Sequence, residues 1–446
     1  MDKMNEAQAI RKQILELTAR YYTLVHDKSS EAFVPGEGRV NYAGRCFDEK
    51  EMVNLADSAL EFWLTSGRYT AEFEKRFAGM LGVKKVLLVN SGSSANLLAF
   101  MTLTAQELGE RRIKRGDEVI TVAAGFPTTV SPVVQYGAVP VFVDIDPATV
   151  NIDPALLEGA LSPKTKAVMI AHTLGNPFDL EKVGDFCKKH GLWLIEDNCD
   201  ALGSRYNGRY TGTFGDLGTS SFYPPHHLTM GEGGAVYTSD PLLARLALSF
   251  RDWGRDCWCQ SGCDNTCGCR FTKQFGTLPQ GYDHKYVYSH FGYNLKATDM
   301  QAAIGCAQLE KLEGFSALRK RNYEYLRSRL EGLSELRIME KLPQSDPSWF
   351  GFLMTLKEDA PFTRNELAEF LEKRNIQTRN LFSGNLTRHP CFELLEEGRD
   401  YRIASSLEQT DVIMNRALWV GVYPGMSIEK LDYMAESIIS FCRKER

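Results

Sequence analysis

Eleven cysteines are spread unevenly along the 446-residue sequence, and five of them fall within the thirteen residues of "CWCQSGCDNTCGC", at 257–269. Secreted scaffolds that depend on disulfides are short and carry cysteines throughout. A local cluster in a long chain indicates metal ligation instead. Four thiolates suit an iron–sulfur cluster or a zinc site, and the residues alone leave both open.

Polar side chains follow three apolar runs where strands are predicted to end. "VNSGSSANLLAF" places Ser93 and Ser94 between a strand and a helix, where backbone N–H groups bind anions; an ordinary helix N-cap is the alternative. "LWLIEDNCDALGS" ends a strand at Asp197, and "SFYPPHHLT" brings Ser221 to another strand end. Because ligands of open α/β sheets bind at the carboxyl ends of strands, these segments predict a binding site.

Alternating strand and helix patterns position these segments. Short apolar runs rich in β-branched residues predict strands at "KVLLV", "DEVITV", "VPVFVD", "KAVMIA", "LWLIED", "TSSFY" and "GAVYTS". The alternation predicts an α/β fold with a mostly parallel sheet covered by helices. From about residue 299 one long helix is predicted, followed by a smaller α+β segment around "WFGFLMTL".

We predict three regions from these patterns and from the chain length. Residues 1–60 form a helical N-terminal extension, 61–300 a large domain with a cysteine-rich insertion at 256–285, and 301–446 a smaller C-terminal domain. A net charge of −5 argues against nucleic acid. No apolar run approaches the roughly 18 residues of a membrane span, the polar start does not resemble a signal peptide, and a cytoplasmic protein is expected.

The three strand-end segments resemble those of the sugar-nucleotide aminotransferase/dehydratase family, pyridoxal phosphate enzymes of the aspartate aminotransferase fold. The resemblance covers roughly residues 55–440 and makes the large domain the cofactor-binding one. It implies that Ser93, Ser94 and Ser221 bind the cofactor phosphate. It also implies that Phe126, in "AAGFPTT", stacks on the cofactor ring, and that Asp197 pairs with the ring nitrogen.

Other positions follow from the same resemblance. Asp200 stands where the family more often has Gln or His, and Asn294, in "GYNLKATDMQAAIG", matches an asparagine that usually reaches the partner subunit's cofactor, which implies a homodimer. "RNLFSGNLTRHP" resembles the segment that binds the sugar nucleotide, with Arg379, Asn385 and Arg388 as candidates. A solvated basic loop is the alternative interpretation of that segment.

A histidine replaces the residue that defines the aminotransferases. Their lysine, which holds the cofactor through a Schiff base, lies five residues after the serine that matches Ser221, and here that position is His226. An imidazole cannot form that bond, so the resemblance implies a non-covalent cofactor, pyridoxamine phosphate (PMP), with His226 as base. A free imidazole has a pKa of about 6.5 and can take a proton. The adjacent His227 matches a polar family position and is not expected to be the base.

Few branches of the family carry this histidine. Colitose-type dehydratases have no metal cluster, whereas the dehydrases of CDP-4-keto-6-deoxyglucose need a [2Fe-2S] centre with ligands spaced Cys-x57-Cys-x-Cys-x7-Cys. The positions that fit this spacing are Cys199, Cys257, Cys259 and Cys267. Cys263 and Cys269 are then expected not to be ligands. Cys199 is two residues from Asp197, so their Cα atoms are at most about 7 Å apart, which suits electron delivery to the cofactor.

The resemblance therefore implies PMP- and [2Fe-2S]-dependent removal of the C3 hydroxyl of CDP-4-keto-6-deoxyglucose, in the biosynthesis of 3,6-dideoxyhexoses of lipopolysaccharide O-antigen. A separate NADH-dependent flavin iron–sulfur reductase would supply electrons, since the chain has no G-x-G-x-x-G match for a dinucleotide. Three alternatives remain open: a cluster-free PMP-dependent sugar 3-dehydratase, a sugar aminotransferase, which the missing lysine disfavours, and a non-catalytic zinc-binding protein.

Overall fold

The computed structural model describes residues 3–27, 32–259 and 262–443. Its helices are α1 (Lys3–Val25), α2 (Glu49–Glu61), α3 (Arg68–Leu81), α4 (Gly92–Thr102), α5 (Pro127–Tyr136), α6 (Leu157–Ala160), α7 (Leu180–His190), α8 (Pro241–Arg251), α9 (Asp299–Leu309), α10 (Leu312–Leu330), α11 (Arg364–Lys373), α12 (Glu408–Arg416) and α13 (Ile428–Cys442).

The strands are β1 (Lys85–Val89), β2 (Glu118–Val122), β3 (Val139–Val143), β4 (Thr165–Ala171), β5 (Trp193–Asp197), β6 (Arg205–Tyr206), β7 (Arg209–Tyr210), β8 (Leu217–Ser221), β9 (Gly234–Thr238), β10 (Leu336–Ile338), β11 (Ser345–Asp346), β12 (Gly351–Leu356), β13 (Thr378–Arg379), β14 (Arg402–Ile403) and β15 (Ala417–Gly421).

A large eight-stranded sheet in the order β1-β9-β8-β5-β4-β2-β3-β14 forms the centre of the fold. The pairs β1/β9 and β8/β9 are antiparallel, and the other pairs in this sheet are parallel. Strands β1 to β5 are buried along almost their whole length, as expected for a sheet that helices cover on both faces. This confirms the predicted α/β fold with a mostly parallel sheet.

The C-terminal region has its own antiparallel sheet, β10-β12-β15-β13. The predicted domain limits stay a prediction, and two backbone contacts cross them: β14 pairs with β3 of the large sheet, and Val40 pairs with Ile376. The long helix predicted from residue 299 is two helices, because the chain leaves the α-helical hydrogen-bond pattern at Lys311, whose N–H bonds to the Gln308 carbonyl. Lys311 Nζ there lies 2.7 Å from Asp48.

A buried carboxylate on β5 ties the large sheet to the loop that precedes β8. Glu196 is fully buried, and its two oxygens accept N–H bonds from Gly212 at 2.7 Å and from Phe214 and Gly215 at 2.6 Å. His172 Nε2 donates a further bond at 3.0 Å. The next residue on β5 points to the opposite face of the sheet, so this clamp holds the strand that presents Asp197.

No helix in the described part of the chain is long and apolar enough to cross a membrane.

Replacing Glu196 by Ala should lower the free energy of unfolding by roughly 3–5 kcal/mol, because three backbone N–H groups and a histidine lose a buried partner. Urea unfolding followed by circular dichroism measures the change. Glu181→Ala, at an exposed position of α7, is the control and should change stability by less than about 0.5 kcal/mol. Equal stability of the two variants would contradict the proposed clamp.

Candidate active site

A cavity of about 400 Å³ opens at the carboxyl ends of the parallel strands. The loops after β1, β2, β5 and β8 all contribute to it, as the topology of an open α/β sheet requires. It brings together most of the residues that the sequence singled out as cofactor-binding or catalytic: Ser93, Phe126, Asp197, Asp200, Ser221 and His226. Cys199 also lines this cavity.

One end of the cavity is suited to an anion. Helix α4 begins there with Ser91 as its N-cap, whose Oγ accepts the Ser94 N–H at 3.1 Å, and Ser93 is exposed. Ser221 faces Gly92 so closely that a Cβ on that glycine would lie 2.4 Å from Ser221 Cβ. Backbone N–H groups, hydroxyls and the positive end of the helix dipole together favour phosphate.

Asp197 is 4% exposed and held in one orientation by three donors. Its Oδ2 accepts bonds from Asn96 Nδ2 at 2.8 Å and Thr129 Oγ1 at 2.7 Å, and its Oδ1 accepts the Cys199 N–H at 3.1 Å. A fixed carboxylate in a cavity can hold a proton on a heterocyclic nitrogen. Neither Asn96 nor Thr129 stood out in the sequence, although both follow strand ends.

His226 and Asp200 form a pair on the wall of the cavity. His226 Nε2 lies 3.1 Å from Asp200 Oδ1, while His226 Nδ1 and Asp200 Oδ2 are buried without a partner. Burial raises the pKa of the Asp200 carboxyl, and the bond with His226 opposes that shift. The Phe350 ring packs 5.3 Å from the imidazole. The pair thus offers one imidazole nitrogen that can exchange a proton.

The adjacent His227 lies outside this cavity. It is buried, its Nε2 donates to the Ser348 carbonyl at 2.7 Å, and burial lowers its pKa well below the ordinary value. A histidine held neutral against a backbone carbonyl is structural. Of the two histidines, His226 is the one that lines the large cavity, and its role as base stays a prediction.

Aromatic side chains from distant parts of the sequence complete the cavity. Tyr42, Phe350, Phe382 and Trp419 line it together with Phe126. Of these aromatic side chains, the sequence predicted only Phe126. No local sequence pattern marks a side chain that reaches the site from another region of the chain. Flat apolar walls of this kind suit a planar ring.

Of the three predicted sugar-nucleotide contacts in "RNLFSGNLTRHP", one lines the cavity and two do not. Arg379 lines the cavity and packs over the Tyr42 ring at 3.9 Å. Asn385 is buried and donates to Asp411, and Arg388 forms an ion pair with the same carboxylate, so both lie outside the cavity. Asn294 is exposed and accepts a bond from Lys296 at 2.9 Å, also outside it. Its predicted contact with a partner subunit's cofactor stays a prediction.

The insertion places several cysteines together. Cys257, Cys259 and Cys267 line one small cavity with His284. Burial alone would raise the pKa of Cys259, but hydrogen bonds from Thr266 and from the Cys267 backbone lower this pKa to about 7. A thiol with a lowered pKa supplies the thiolate that a metal needs.

The positions of two cysteines differ from those expected from the predicted set of four metal ligands. Cys199 lines the large cavity, and none of the contacts described for it involves the other three predicted ligands. Burial, followed by the Asp197 carboxylate, raises the pKa of Cys199 well above its ordinary value. Cys269, which was expected not to be a ligand, lies beside Cys267 and His284.

Comparison with known proteins gives an independent view of this site. The chain is 53% identical over 436 residues to the lipopolysaccharide biosynthesis protein RfbH of Salmonella typhimurium, with 98% of each chain covered. It is 53% identical over 418 residues to a dTDP-4-dehydro-2,6-dideoxy-D-glucose 3-dehydratase of Saccharopolyspora spinosa, covering 94% of this chain and 90% of the relative. A solved Escherichia coli GDP-4-keto-6-deoxy-D-mannose-3-dehydratase with hydrated PLP superposes with a TM-score of 0.80 at 29% identity, covering 90% and 100%.

Fold and cavity together define an enzyme of the aminotransferase fold that uses pyridoxal or pyridoxamine phosphate. The profile of the DegT/DnrJ/EryC1/StrS aminotransferase family matches residues 45–439. The chain belongs to this family, and within it to the sugar 3-dehydratases and aminotransferases that its relatives represent. This confirms the family drawn from the sequence.

The side chains of the cavity fit the family's cofactor. Gly92 lets Ser221 approach the start of α4, because a Cβ at this position would lie 2.4 Å from Ser221 Cβ; the serine hydroxyl and the first amide groups of α4 together suit a phosphate. Asp197 offers a fixed carboxylate, and the His226–Asp200 pair lines the same cavity.

Gly92→Ala should weaken the binding of pyridoxamine phosphate at least about tenfold without unfolding the protein. The added Cβ would lie 2.7 Å from Ser221 Oγ and displace a proposed phosphate-binding hydroxyl. Fluorescence titration of cofactor-free protein measures the affinity. Gly79→Ala, in helix α3 with nothing within 4 Å of the new Cβ, is the matched control and should bind normally. Unchanged affinity in Gly92→Ala would mean that the phosphate binds elsewhere.

Proposed function

We propose that the chain is a pyridoxamine phosphate-dependent 3-dehydratase that removes the C3 hydroxyl of a nucleotide-linked 4-keto-6-deoxy sugar. The observation that carries this proposal is His226, in a cavity whose described lining contains no lysine. An aminotransferase of this family needs an amine there to hold its cofactor, and an imidazole cannot form that bond. The same observation argues against the alternative of a sugar aminotransferase.

We further propose CDP-4-keto-6-deoxyglucose as the substrate, on a route to the 3,6-dideoxyhexoses of O-antigen. Similarity to the Salmonella lipopolysaccharide biosynthesis protein supports the route. The CDP group rests on the sequence resemblance, whereas the two dehydratase relatives carry dTDP and GDP in their names. Comparing kcat/KM for 4-keto-6-deoxy sugars linked to CDP, dTDP and GDP tests this choice, and a preference for dTDP or GDP would contradict it.

The residues of the cavity have distinct roles in this proposal. Bound pyridoxamine phosphate would supply an amine that joins the C4 ketone and a ring that takes up electrons. Ser93, Ser94, Ser221 and the amide groups at the start of α4 hold the phosphate. Asp197 holds a proton on the ring nitrogen, because its carboxylate is fixed by three hydrogen bonds.

His226 is the proposed base, and its geometry indicates which nitrogen acts. Its Nε2 faces Asp200 Oδ1 at 3.1 Å, and a carboxylate only accepts, so Nε2 carries the ring proton. Nδ1 then bears the lone pair and is buried without a partner. His226 takes a proton from the C4′ carbon of the cofactor and delivers it to the departing C3 hydroxyl, so that proton and hydroxyl leave as water. Phe350 packs against the imidazole and keeps bulk water from it.

A second candidate adds a reductive step. The observation that favours it is the group of Cys257, Cys259 and Cys267 around one cavity of the insertion, a donor set that fits a thiolate-bound metal. A [2Fe-2S] centre there would deliver electrons one at a time to the dehydrated sugar. The electrons would come from an NADH-dependent flavin iron–sulfur reductase. The predicted fourth ligand, Cys199, lines the large cavity and not this one.

Two further predictions from the sequence belong to the same proposal. We propose a homodimer in which Asn294, exposed in the single chain, reaches the cavity of the other subunit. A cytoplasmic location is proposed because the substrate class is a nucleotide-linked sugar.

His226→Asn should still bind pyridoxamine phosphate but lose exchange of its C4′ hydrogen with solvent deuterium by at least about 100-fold, since the amide keeps polarity and loses basicity. Nuclear magnetic resonance of the released cofactor measures the exchange. His227→Asn is the control for the neighbouring histidine and should retain exchange if it folds. Borohydride should trap no pyridoxyl group on the wild type. Exchange at the wild-type rate in His226→Asn, or a covalent pyridoxyl adduct, would contradict the proposed roles.

Metal analysis separates the two candidate reactions. Protein purified without oxygen should contain iron and acid-labile sulfide in equal amounts, and removing the iron should abolish the 3-deoxy product formed with NADH and the reductase. Exchange at C4′ should persist in the stripped protein, since His226 and not the metal moves that proton. Circular dichroism and cofactor affinity control for unfolding of the insertion.

The metal content and the exchange at C4′ together distinguish the proposed enzyme from its alternatives. Formation of the 3-deoxy sugar by an iron-free protein without NADH or the reductase would favour the cluster-free dehydratase, since the cofactor itself would then supply the two electrons. Zinc without iron, together with no exchange at C4′, would favour the non-catalytic zinc-binding protein and overturn the proposed enzyme.

A further inference from the structure

Helix α1 lies against the protein on one side and exposes apolar side chains on another. It packs along α2, and none of its residues, all within the described part of the chain, is buried. Ion pairs fix its orientation, since Arg11 Nε donates to Asp57 Oδ1 at 2.7 Å and Arg11 Nη2 donates to Glu61 Oε1 at 2.8 Å. The large apolar side chains on the free side are 50–75% exposed: Ile10, Leu17, Tyr21 and Leu24.

These side chains form a regular seam along the helix. With the half-buried Ile14, they follow one another at intervals of four, three, four and three residues, in the order Ile10, Ile14, Leu17, Tyr21 and Leu24. Single exposed apolar residues are ordinary, but this spacing is the a/d repeat by which one helix packs against another. The family profile begins at residue 45, so the seam lies outside the part of the chain that is matched to the family.

Charges on one flank of the seam are arranged symmetrically. Gln13 lies midway between Glu6 and Arg20, seven residues from each, and all three are exposed. They occupy the g position of the heptad, where charges pair between neighbouring helices and select their orientation. In an antiparallel copy of the helix this order is reversed, so Glu6 faces Arg20 of the partner subunit, and the two-fold axis repeats that pair. The flank is therefore complementary to itself.

The apolar side chains agree with the same register. Ile10 then faces Ile14 of the partner subunit, and Leu17 faces the partner subunit's Ala7, where a small side chain leaves room for a large one. Two-fold symmetry repeats both contacts. One antiparallel register thus matches the apolar layers and the charged flank together.

Other pairings of two α1 helices lack this agreement. Moving the antiparallel copy by one heptad in either direction places only Gln13 of the partner subunit beside Arg20 or Glu6. A parallel copy places Arg20 beside the partner subunit's Val25. It also places Glu6 beside the partner subunit's Arg11, a residue that the carboxylates of α2 already hold. Charge therefore favours the antiparallel pair.

We propose that α1 is an interaction surface for a second copy of this chain, and that two α1 helices pair antiparallel about a two-fold axis close to Gln13. This contact is distinct from the one proposed for Asn294. If the two contacts share one axis, α1 reinforces the same dimer; if they do not, it joins two dimers into a tetramer. The inference does not depend on the reaction proposed for the large cavity.

A photoreactive side chain in the full-length protein identifies what covers the seam. With p-benzoylphenylalanine in place of Leu17, irradiation should give a cross-linked dimer on a denaturing gel. Mass spectrometry of mixed ¹⁴N- and ¹⁵N-labelled chains should map the link to residues around Ala7 of another chain. The same group in place of Glu16, which is exposed on α1 away from the seam, is the control and should give no dimer. No dimer from position 17, or a link to any segment other than α1 of a second chain, would overturn the inference.

Charge reversal tests the register. In the protein that carries the probe at position 17, Glu6→Arg and Arg20→Glu should each lower the yield of cross-linked dimer at least about threefold below saturation, because two opposite-charge pairs become like-charge pairs. The double variant should regain the yield, since the pairs are restored with their charges exchanged. Glu16→Arg makes the same change of charge off the seam and should have no effect, and circular dichroism confirms folding. An undiminished yield in either single variant, or a double variant that does not recover, would overturn the proposed antiparallel pair while leaving the proposed reaction intact.

Discussion

The position of one carboxylate determines what the large cavity can bind. Asp197 ends β5 in the middle of the sheet, is almost completely buried, and accepts three hydrogen bonds from Asn96, Thr129 and the Cys199 backbone. A buried charge is stable only when such partners satisfy it. The same carboxylate can hold a proton on a ring nitrogen, and the start of α4 and several aromatic side chains line the same cavity. His226 lines the same cavity, and the proposed chemistry depends on this histidine standing where aminotransferases of the family have a lysine.

The pairing of His226 with Asp200 explains how a histidine can replace a tether. A lysine at that position would be bonded to the cofactor through a Schiff base, whereas an imidazole keeps a free nitrogen. The bond to Asp200 fixes which nitrogen is free. Because Asp200 is buried beside Asp197, its pKa is raised, and the two carboxylates share one enclosed space. The bond from the imidazole offsets part of that repulsion, so base and carboxylate depend on each other.

Much of this arrangement could be predicted from local sequence. The apolar, β-branched runs of β1 to β5 are buried strands because both faces of the sheet are covered, and strand ends place Asp197 and Ser221 correctly. The strand predicted at "TSSFY" ends at Ser221, since a Pro-Pro pair follows it within three residues. Local sequence could not predict which aromatic side chains line the cavity, because Tyr42 and Trp419 reach it from opposite ends of the chain.

The central claim is that a cavity with an imidazole in place of an amine removes an oxygen from the sugar instead of adding a nitrogen. Mass spectrometry of the sugar product, after anaerobic incubation of PMP-loaded protein with CDP-4-keto-6-deoxyglucose, ¹⁵N-glutamate, NADH and the reductase, tests this most directly. The account predicts a product that has lost the C3 oxygen and contains no ¹⁵N. An amino sugar that contains ¹⁵N and retains its C3 oxygen would contradict it.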